Sequence, residues 1–306
     1  KQVAVLVPTT LLAEQHFRTF TERFERYPVV IETLSRFRSR KKQKQVVSEM
    51  QNGRVDIVIG THRLLQKDIA FKELGLIIID EEQRFGVRHK EKLKSMRTMV
   101  DVLSMTATPI PRTLHLSMLG VRDISVITTP PELRQPIISY ISEFDPAVIA
   151  EAVRNEVSRG GQIFFVHNNI NTIWNISRRL KEMVPEVRLG VAHGRLAEDE
   201  LEAVMYQFIN REIDMLVSTT IVESGLDIPN ANTMIINRAD RMGLAQLYQL
   251  RGRVGRADTQ AYAYLIVPKE AALPKDAQKR LKVVMEHSDL GAGFQIALND
   301  LKIRGG

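Results

Sequence analysis

The chain has 306 residues, 44% of them hydrophobic, which is enough for about two domains that each bury a core. Lys and Arg number 43 against 36 Asp and Glu, and the resulting charge of +7 and pI near 9.6 favour a polyanionic partner. The lack of cysteine excludes a disulfide framework and thiolate chemistry and agrees with a reducing, cytoplasmic setting, and no apolar run approaches the roughly 18 residues of a membrane span.

Short apolar runs alternate with longer amphipathic ones, the pattern of β-α units around parallel sheets. The opening run Lys1 to Val7 reads as an interior strand, so the chain is expected to begin in mid-domain. Val3 to Val7, Val29 to Leu34, Asp56 to Gly60, Leu74 to Ile79 and Asp101 to Met105 predict five buried strands. Between the first two, Leu12, Phe17, Phe20 and Phe24 recur at helical spacing, a stripe that packs a helix on a sheet. Pro130, Pro131 and Pro136 then suppress both helix and inner-strand ladders, which predicts an extended connector and a hinge. Gln162 to Val166, Val187 to Val191, Asp214 to Ser218, Thr233 to Ile236 and Ala261 to Val267 repeat the strand series, with a helical stripe at Ile173, Ile176 and Leu180. Past Pro268 and Pro274, Ala277 to His287 reads as a helix ending near Gly291. The expected division is a first α/β domain over 1–130, a linker over 131–139, a second over 140–270, and the start of a third element over 271–306.

Asp80 and Glu81 follow the run Leu76 to Ile79, so they are expected at the carboxyl end of a central strand, where open α/β sheets bind ligands. One carboxylate there can hold Mg²⁺, and its neighbour can orient or deprotonate a water. Thr106 and Thr108 end the next strand and suit either ligand sensing or helix capping, with Pro109 near a first turn. The segment Ser218 to Pro229, with Thr219, Gly225 and Asp227, can offer backbone N–H groups to phosphate and a carboxylate to a ribose or an arginine, or can be simply a turn. Gln249 opens a run in which Arg253 and Arg256 sit three apart on a helical or near-helical turn, with glycines that let backbone approach a ligand. Arginine suits phosphate because its planar fork donates two parallel hydrogen bonds and keeps its charge. Acids on one domain and arginines on another read as two halves of one nucleotide-hydrolysing site, completed when the cleft between them closes.

Pro8-Thr9 and Thr61-His62-Arg63 each close a strand and should face one sheet edge, a geometry suited to a nucleic-acid backbone. Ser35 to Lys44, including Arg36 and Arg38, carries six positive charges and no acid; it is either a solvated face or a track for phosphates. Aromatic residues fall mostly in core stripes, so binding should be indifferent to base sequence. His167 and His193 follow strands without a third ligand in register, which argues against zinc, and no Gly-x-Ser-x-Gly elbow supports Ser-His-Asp chemistry.

In order, Pro8 to Thr10, Gly60 to His62, Asp80 to Gln83, Thr106 to Thr108, Ser218 to Asp227 and Gln249 to Arg256 resemble motifs Ia, Ib, II, III, V and VI of superfamily 2 helicases. The resemblance covers nearly the whole chain and implies two RecA-like parallel-sheet domains in tandem. Asp80 to Lys94, Leu34 to Arg38 and Thr106 to Arg112 are similar to the bacterial transcription-repair coupling factors; the related RecG, which remodels stalled replication forks, usually has Asp-Glu-Gln-His at 80–83. This resemblance implies a translocase on double-stranded DNA, driven by ATP and Mg²⁺, that displaces stalled RNA polymerase and helps recruit excision-repair proteins. It gives Asp80 the Mg²⁺, Glu81 the attacking water, and Arg253 and Arg256 the γ-phosphate, with Gly225 and Asp227 completing the nucleotide cleft. Thr9, Thr61, His62 and Thr219 would contact the DNA backbone, and the stretch from Leu290 through Arg304 resembles the start of a helical translocation element. The family's Gly-x-x-x-x-Gly-Lys-Thr phosphate loop has no counterpart in these residues. The chain is therefore expected to be a fragment of the motor that alone hydrolyses ATP barely or not at all. A RecG-like fork remodeller and a non-catalytic DNA-binding module are the alternatives.

Overall fold

The computed structural model describes residues 1–82, 85, 100–106, 123, 125–127, 129, 135–220, 225–256, 258–269, 273–286 and 296. Two compact units emerge, one built chiefly on residues 1–107 and the other chiefly on residues 108–306. Each is an α/β unit on a wholly parallel sheet.

In the first unit, β1 (Gln2–Leu6), β2 (Ile31–Leu34), β3 (Ile57–Gly60), β4 (Leu74–Asp80) and β5 (Asp101–Met105) form a sheet of order β2-β3-β1-β4-β5. Strand β1 is covered on both faces, which is why its residues are a continuous apolar run. Ala4 and Leu6 pack with Leu34, Val58, Ile77 and Ile79 on one side. Val5 and Val7 pack with Leu12 and Ala13 of helix α1 (Thr10–Arg23) on the other. Thr9 starts α1 by accepting the Leu12 N–H at 3.3 Å, and Ser39 starts α2 (Arg40–Gln51) by accepting that of Lys42, also at 3.3 Å. Because the strands are parallel, their carboxyl ends share one edge. Pro8 and Thr9, Ser35 to Arg38, Thr61 and His62, Asp80 and Glu81, and Thr106 all leave the sheet there.

The second unit orders its strands β6-β11-β10-β7-β9-β8: β6 (Ile138–Glu143), β7 (Gln162–His167), β8 (Leu189–Ala192), β9 (Met215–Ser218), β10 (Ala231–Asn237) and β11 (Tyr262–Val267). Helices α3 (Pro146–Ser158), α4 (Ile173–Met183), α5 (Glu198–Ile209), α6 (Leu244–Arg251) and α7 (Lys275–Glu286) complete the described elements. Asp145 caps α3 through the Ala147 N–H at 2.8 Å, with Pro146 in the first turn. Ile163 and Phe165 of β7, with Met215 and Val217 of β9, centre a core closed by Ile173 and Leu180 of α4 and Ile149 and Val153 of α3.

The strands read from the sequence are present with ends shifted by a residue or two, but β5, expected to be buried, lies at the sheet edge with Leu103 and Met105 exposed. Strand β6 is an addition, and its first residues fall within the expected linker over 131–139. It lies at the sheet edge with Ile138, Tyr140 and Ile141 exposed, so it lacks the continuous apolar run that marks a central strand. The C-terminal helix starts at Lys275, two residues before the expected start, and residues 287–295 beyond it lie outside the described set.

Candidate functional site

Asp80 is the last residue of β4, and its Oδ2 lies 3.1 Å from Nε2 of His16 on α1. The two side chains are 22% and 23% exposed, so the contact sits at the rim of the sheet edge and not in the core. Glu81, only 6% exposed, turns the chain with φ +52°, a left-handed conformation that a residue with a Cβ adopts at a cost of about 1–3 kcal/mol. Its N–H donates to the Met105 carbonyl at 3.1 Å, which extends the β4–β5 pairing one step past Asp80. Thr106 follows β5 and is exposed; Thr108 lies outside the described residues.

Around the same edge, Pro8 and Thr9 precede α1, with the Thr9 hydroxyl occupied as a cap. Thr61 is buried and His62 exposed at the head of a short 3-10 turn over His62–Leu65. Arg63 places both terminal nitrogens on the Asp68 carboxylate, at 2.7 and 2.5 Å, which raises the guanidinium pKa and lowers that of the acid. Arg36 is exposed, whereas Arg38 stands 5.3 Å over the Phe17 ring and 3.9 Å from Glu14, both on α1. The basic run therefore divides. Ser35 to Ser39 is loop, and Arg40 onward is the first part of α2.

In the second unit, Gln249 is in the last turn of α6, and the helix ends at Arg251 with Gly252 as its cap. Arg253 and Arg256 thus follow the helix and do not share a face of it. Arg253 is 5% exposed, and Arg256 Nη1 donates to Asp227 Oδ1 at 3.2 Å, so the carboxylate on the Gly225–Asp227 loop is matched to an arginine. Gly255 has φ +69°, and a Cβ there would stand 2.9 Å from Ala261 Cβ and 3.3 Å from Ile137, so backbone conformation and packing against the entrance of β11 both favour glycine.

Thr219, buried, donates its N–H to the Ala192 carbonyl at 3.2 Å, and Thr220 lies 3.4 Å from Asn168. His167 is fully used inside the unit. The Asn237 amide donates to Nδ1 at 3.0 Å, which leaves Nε2–H to donate to Thr172 at 2.8 Å, and burial lowers the ring's pKa. His193 accepts the Arg195 N–H at 3.3 Å and meets the edge of Trp174 at 6.1 Å. Among the described residues, no group of three or more His, Asp or Glu is placed to hold a metal ion by itself. Arg304 lies outside the described residues.

Sequence reasoning missed His16. It lies one helical turn from both Leu12 and Phe20 on α1, and it is only partly buried, so the sequence pattern gave no demand for a partner.

A family model for the DEAD/DEAH box helicases matches residues 1–116, and one for the helicase conserved C-terminal domain matches residues 146–258. The chain is 56% identical over 305 residues to the transcription-repair-coupling factor of Bacillus subtilis and 55% identical to that of Escherichia coli, matching all of this chain. The chain belongs to the transcription-repair-coupling-factor family of helicases. It spans about a quarter of the length of those relatives, 26% and 27%. Among solved structures, RecG bound to a three-way DNA junction superposes with a TM-score of 0.82 at 41% identity, over 99% of this chain and 40% of that one. Yeast Dbp5 bound to RNA and ADP BeF3 superposes at 0.68 with 14% identity, over 99% of this chain and 81% of that one, a likeness of fold alone. Two RecA-like parallel-sheet units are therefore the architecture of this member of the coupling-factor family.

Proposed function

We propose that these residues form the motor of an ATP-driven, sequence-independent double-stranded DNA translocase, which in the whole cytoplasmic protein displaces stalled RNA polymerase and helps recruit excision-repair proteins. The observation that carries this reading is the acidic end of β4, where Asp80 stands at the rim beside a strained, buried Glu81. Backbone strain of that kind is enriched at active sites and ligand clamps.

The residues fit a magnesium nucleotide. Asp80 is a partly exposed carboxylate whose one partner among the described residues binds a single oxygen. Asp80 would hold Mg²⁺, whose charge when bound offsets that of the phosphates. Glu81 would orient and deprotonate the attacking water. Arg253 and Arg256 would donate to phosphate oxygens, the second already aligned by Asp227. Gln249, Gly225, Thr106 and Thr108 would line the nucleotide. Pro8, Thr9, Thr61, His62, Arg63, Arg36, Arg38 and Thr219, with Arg304 in the translocation element over 271–306, would contact the DNA backbone. For Arg63 this requires phosphate to displace Asp68, and for Arg38 to displace Glu14.

The test is DNA-stimulated ATP turnover of the full-length protein with Glu81→Gln and Arg256→Ala. Each is expected to lower turnover about 10²-fold or more without loss of DNA binding. Near-wild-type turnover in either variant rejects its role. These 306 residues alone should turn over ATP barely, since they contain no Gly-Lys-Thr phosphate loop. The likeness to RecG favours fork remodelling as the second reading. Comparing displacement of a stalled polymerase with regression of a model fork separates the two.

A further inference from the structure

Helix α1 reaches from the Thr9 loop to the acidic end of β4. Thr9 caps its first turn, and His16 lies seven residues on, about 10 Å along the axis. The helix has little freedom between those points, because Leu12 and Ala13 are buried against Val5, Val7, Ile57 and Ile59. His16 is itself held, edge-on to Phe20 with ring centroids 6.2 Å apart. Its Nε2 then meets Asp80 Oδ2 at 3.1 Å.

A carboxylate at the end of a strand can rotate about two side-chain bonds. A ring N–H fixed on a rigid helix removes that freedom by holding one oxygen, Oδ2, and does not occupy Oδ1. Partners of this kind, one bond removed from a metal, set the orientation and basicity of the ligand they touch.

We propose that His16 is the positioning residue for the Asp80 carboxylate, fixing it for Mg²⁺. The inference rests on the ATP-hydrolysing reading above and adds a residue that the helicase motifs in this sequence do not include.

The test uses the full-length protein and two substitutions that separate hydrogen bonding from packing. His16→Gln keeps a nitrogen donor near the position of Nε2, and His16→Met keeps the bulk against Phe20 without a donor. Mn²⁺ is titrated into protein saturated with a non-hydrolysable ATP analogue, with free Mn²⁺ read by electron paramagnetic resonance. The Mg²⁺ dependence of DNA-stimulated turnover is measured in parallel. The Met variant is expected to bind Mn²⁺ about tenfold more weakly and to need correspondingly more Mg²⁺, with the Gln variant near wild type. The reverse order, Met near wild type and Gln impaired, makes His16 a packing residue and overturns the proposal, as does equal Mn²⁺ affinity in all three proteins. If wild type itself shows no DNA-stimulated turnover, the ATP reading fails. If wild type turns over and the variants match it, only the role of His16 fails.

Discussion

The two units build the same frame and finish it differently. In the first, the Gln2 amide at the start of β1 donates to the Met50 and Val55 carbonyls at 3.0 and 2.8 Å, pinning the end of α2 to the start of β3. In the second, Gln162 at the start of β7 donates to Phe208 and Ile213 at 2.6 and 2.7 Å, pinning α5 to β9. Asp56 accepts the Val30 N–H at 2.8 Å, and Asp214 accepts that of Arg188 at 2.9 Å, each tying the strand before it to its neighbour. At the amino ends of the strands the units thus share their fastenings. At the carboxyl ends they diverge: the first presents Asp80 and a strained Glu81, the second the hydroxyl residues Ser218 and Thr219, while its Asp227 and arginines stand before the entrances of β10 and β11. The frame is common because any parallel sheet must satisfy its buried connections, and chemistry is free to differ only where loops leave it.

The sharpest way to break this comparison is in the divergent loops. Glu81→Gln is isosteric and keeps the fold, so the expected loss of about 10²-fold or more in turnover measures chemistry alone. Asp227→Asn weakens the alignment of Arg256 without removing it, and a smaller loss is expected from the same assay. A larger loss from Asp227→Asn than from Glu81→Gln would move the chemical centre to the second unit.

At the shared end, the glutamines differ in one respect. Gln2 Oε1 also accepts the N–H groups of Lys72 and Glu73 at 2.8 and 3.1 Å, whereas Gln162 Oε1 is buried with no hydrogen-bond partner among the described residues. Gln2→Leu strands four backbone groups and should destabilise the first unit by about 3–4 kcal/mol. Gln162→Leu strands two carbonyls but removes an unsatisfied oxygen, so a cost of about 1 kcal/mol is expected. Denaturation by urea checks both. Trp174, the only tryptophan, reports the second unit by fluorescence, and circular dichroism reports both. Equal costs would mean that the extra bonds of Gln2 contribute nothing.

The frame was largely legible in the sequence because parallel strands buried on both faces must be apolar throughout, as in Val3 to Leu6 or Ile77 to Ile79. Strand β6 was not, since its exposed residues follow directly on the prolines read as a connector, whereas the equally exposed edge strand β5 still carries a readable run. Asp80 and Glu81 were placed correctly at a strand end from the run before them. His16 could not be paired with Asp80 by pattern, because the contact joins residues 64 apart through the stacking of α1 on the sheet. The packing constraint on the glycine between the arginines was not legible, because it comes from Ala261 and Ile137, which no local spacing reveals.

A smaller effect is read by pH at Asp214. Burial raises the Asp214 carboxyl pKa, but hydrogen bonds from the Arg188 side chain and backbone, with the charge beside them, outweigh it and hold the carboxyl below the usual range. An acid depressed in the folded state contributes stability that is complete above its unfolded pKa and is lost as pH falls through the folded one. The second unit should therefore lose a few degrees in Tm below about pH 4. Asp214→Asn should lower Tm at neutral pH and flatten that acid slope. An unchanged slope in the variant would assign the loss to another carboxylate.

The smallest expected effect tests the one place where the shared frame carries a local conflict. After α2 the chain turns through Gly53 at φ +72°, and after α5 it turns through Arg211 at φ +62°. Both close the same motif: Gly53 and Arg54 donate to Met50 and Glu49, and Arg211 and Glu212 donate to Phe208 and Gln207. A residue with a Cβ costs about 1 kcal/mol in that conformation, and glycine costs nothing steric. Arg211 recovers part of this through Nη2, which donates to Asn230 at 2.7 Å on the surface. Arg211→Gly should then stabilise the second unit by about 0.5 kcal/mol, the strain relieved less the surface bond lost. Gly53→Ala should cost the first unit about 1 kcal/mol, with Lys72 Cδ, 2.7 Å from the new Cβ, swinging aside. If Arg211→Gly destabilises instead, the bond to Asn230 outweighs the backbone strain, and the arginine is a fastening of the second unit in its own right.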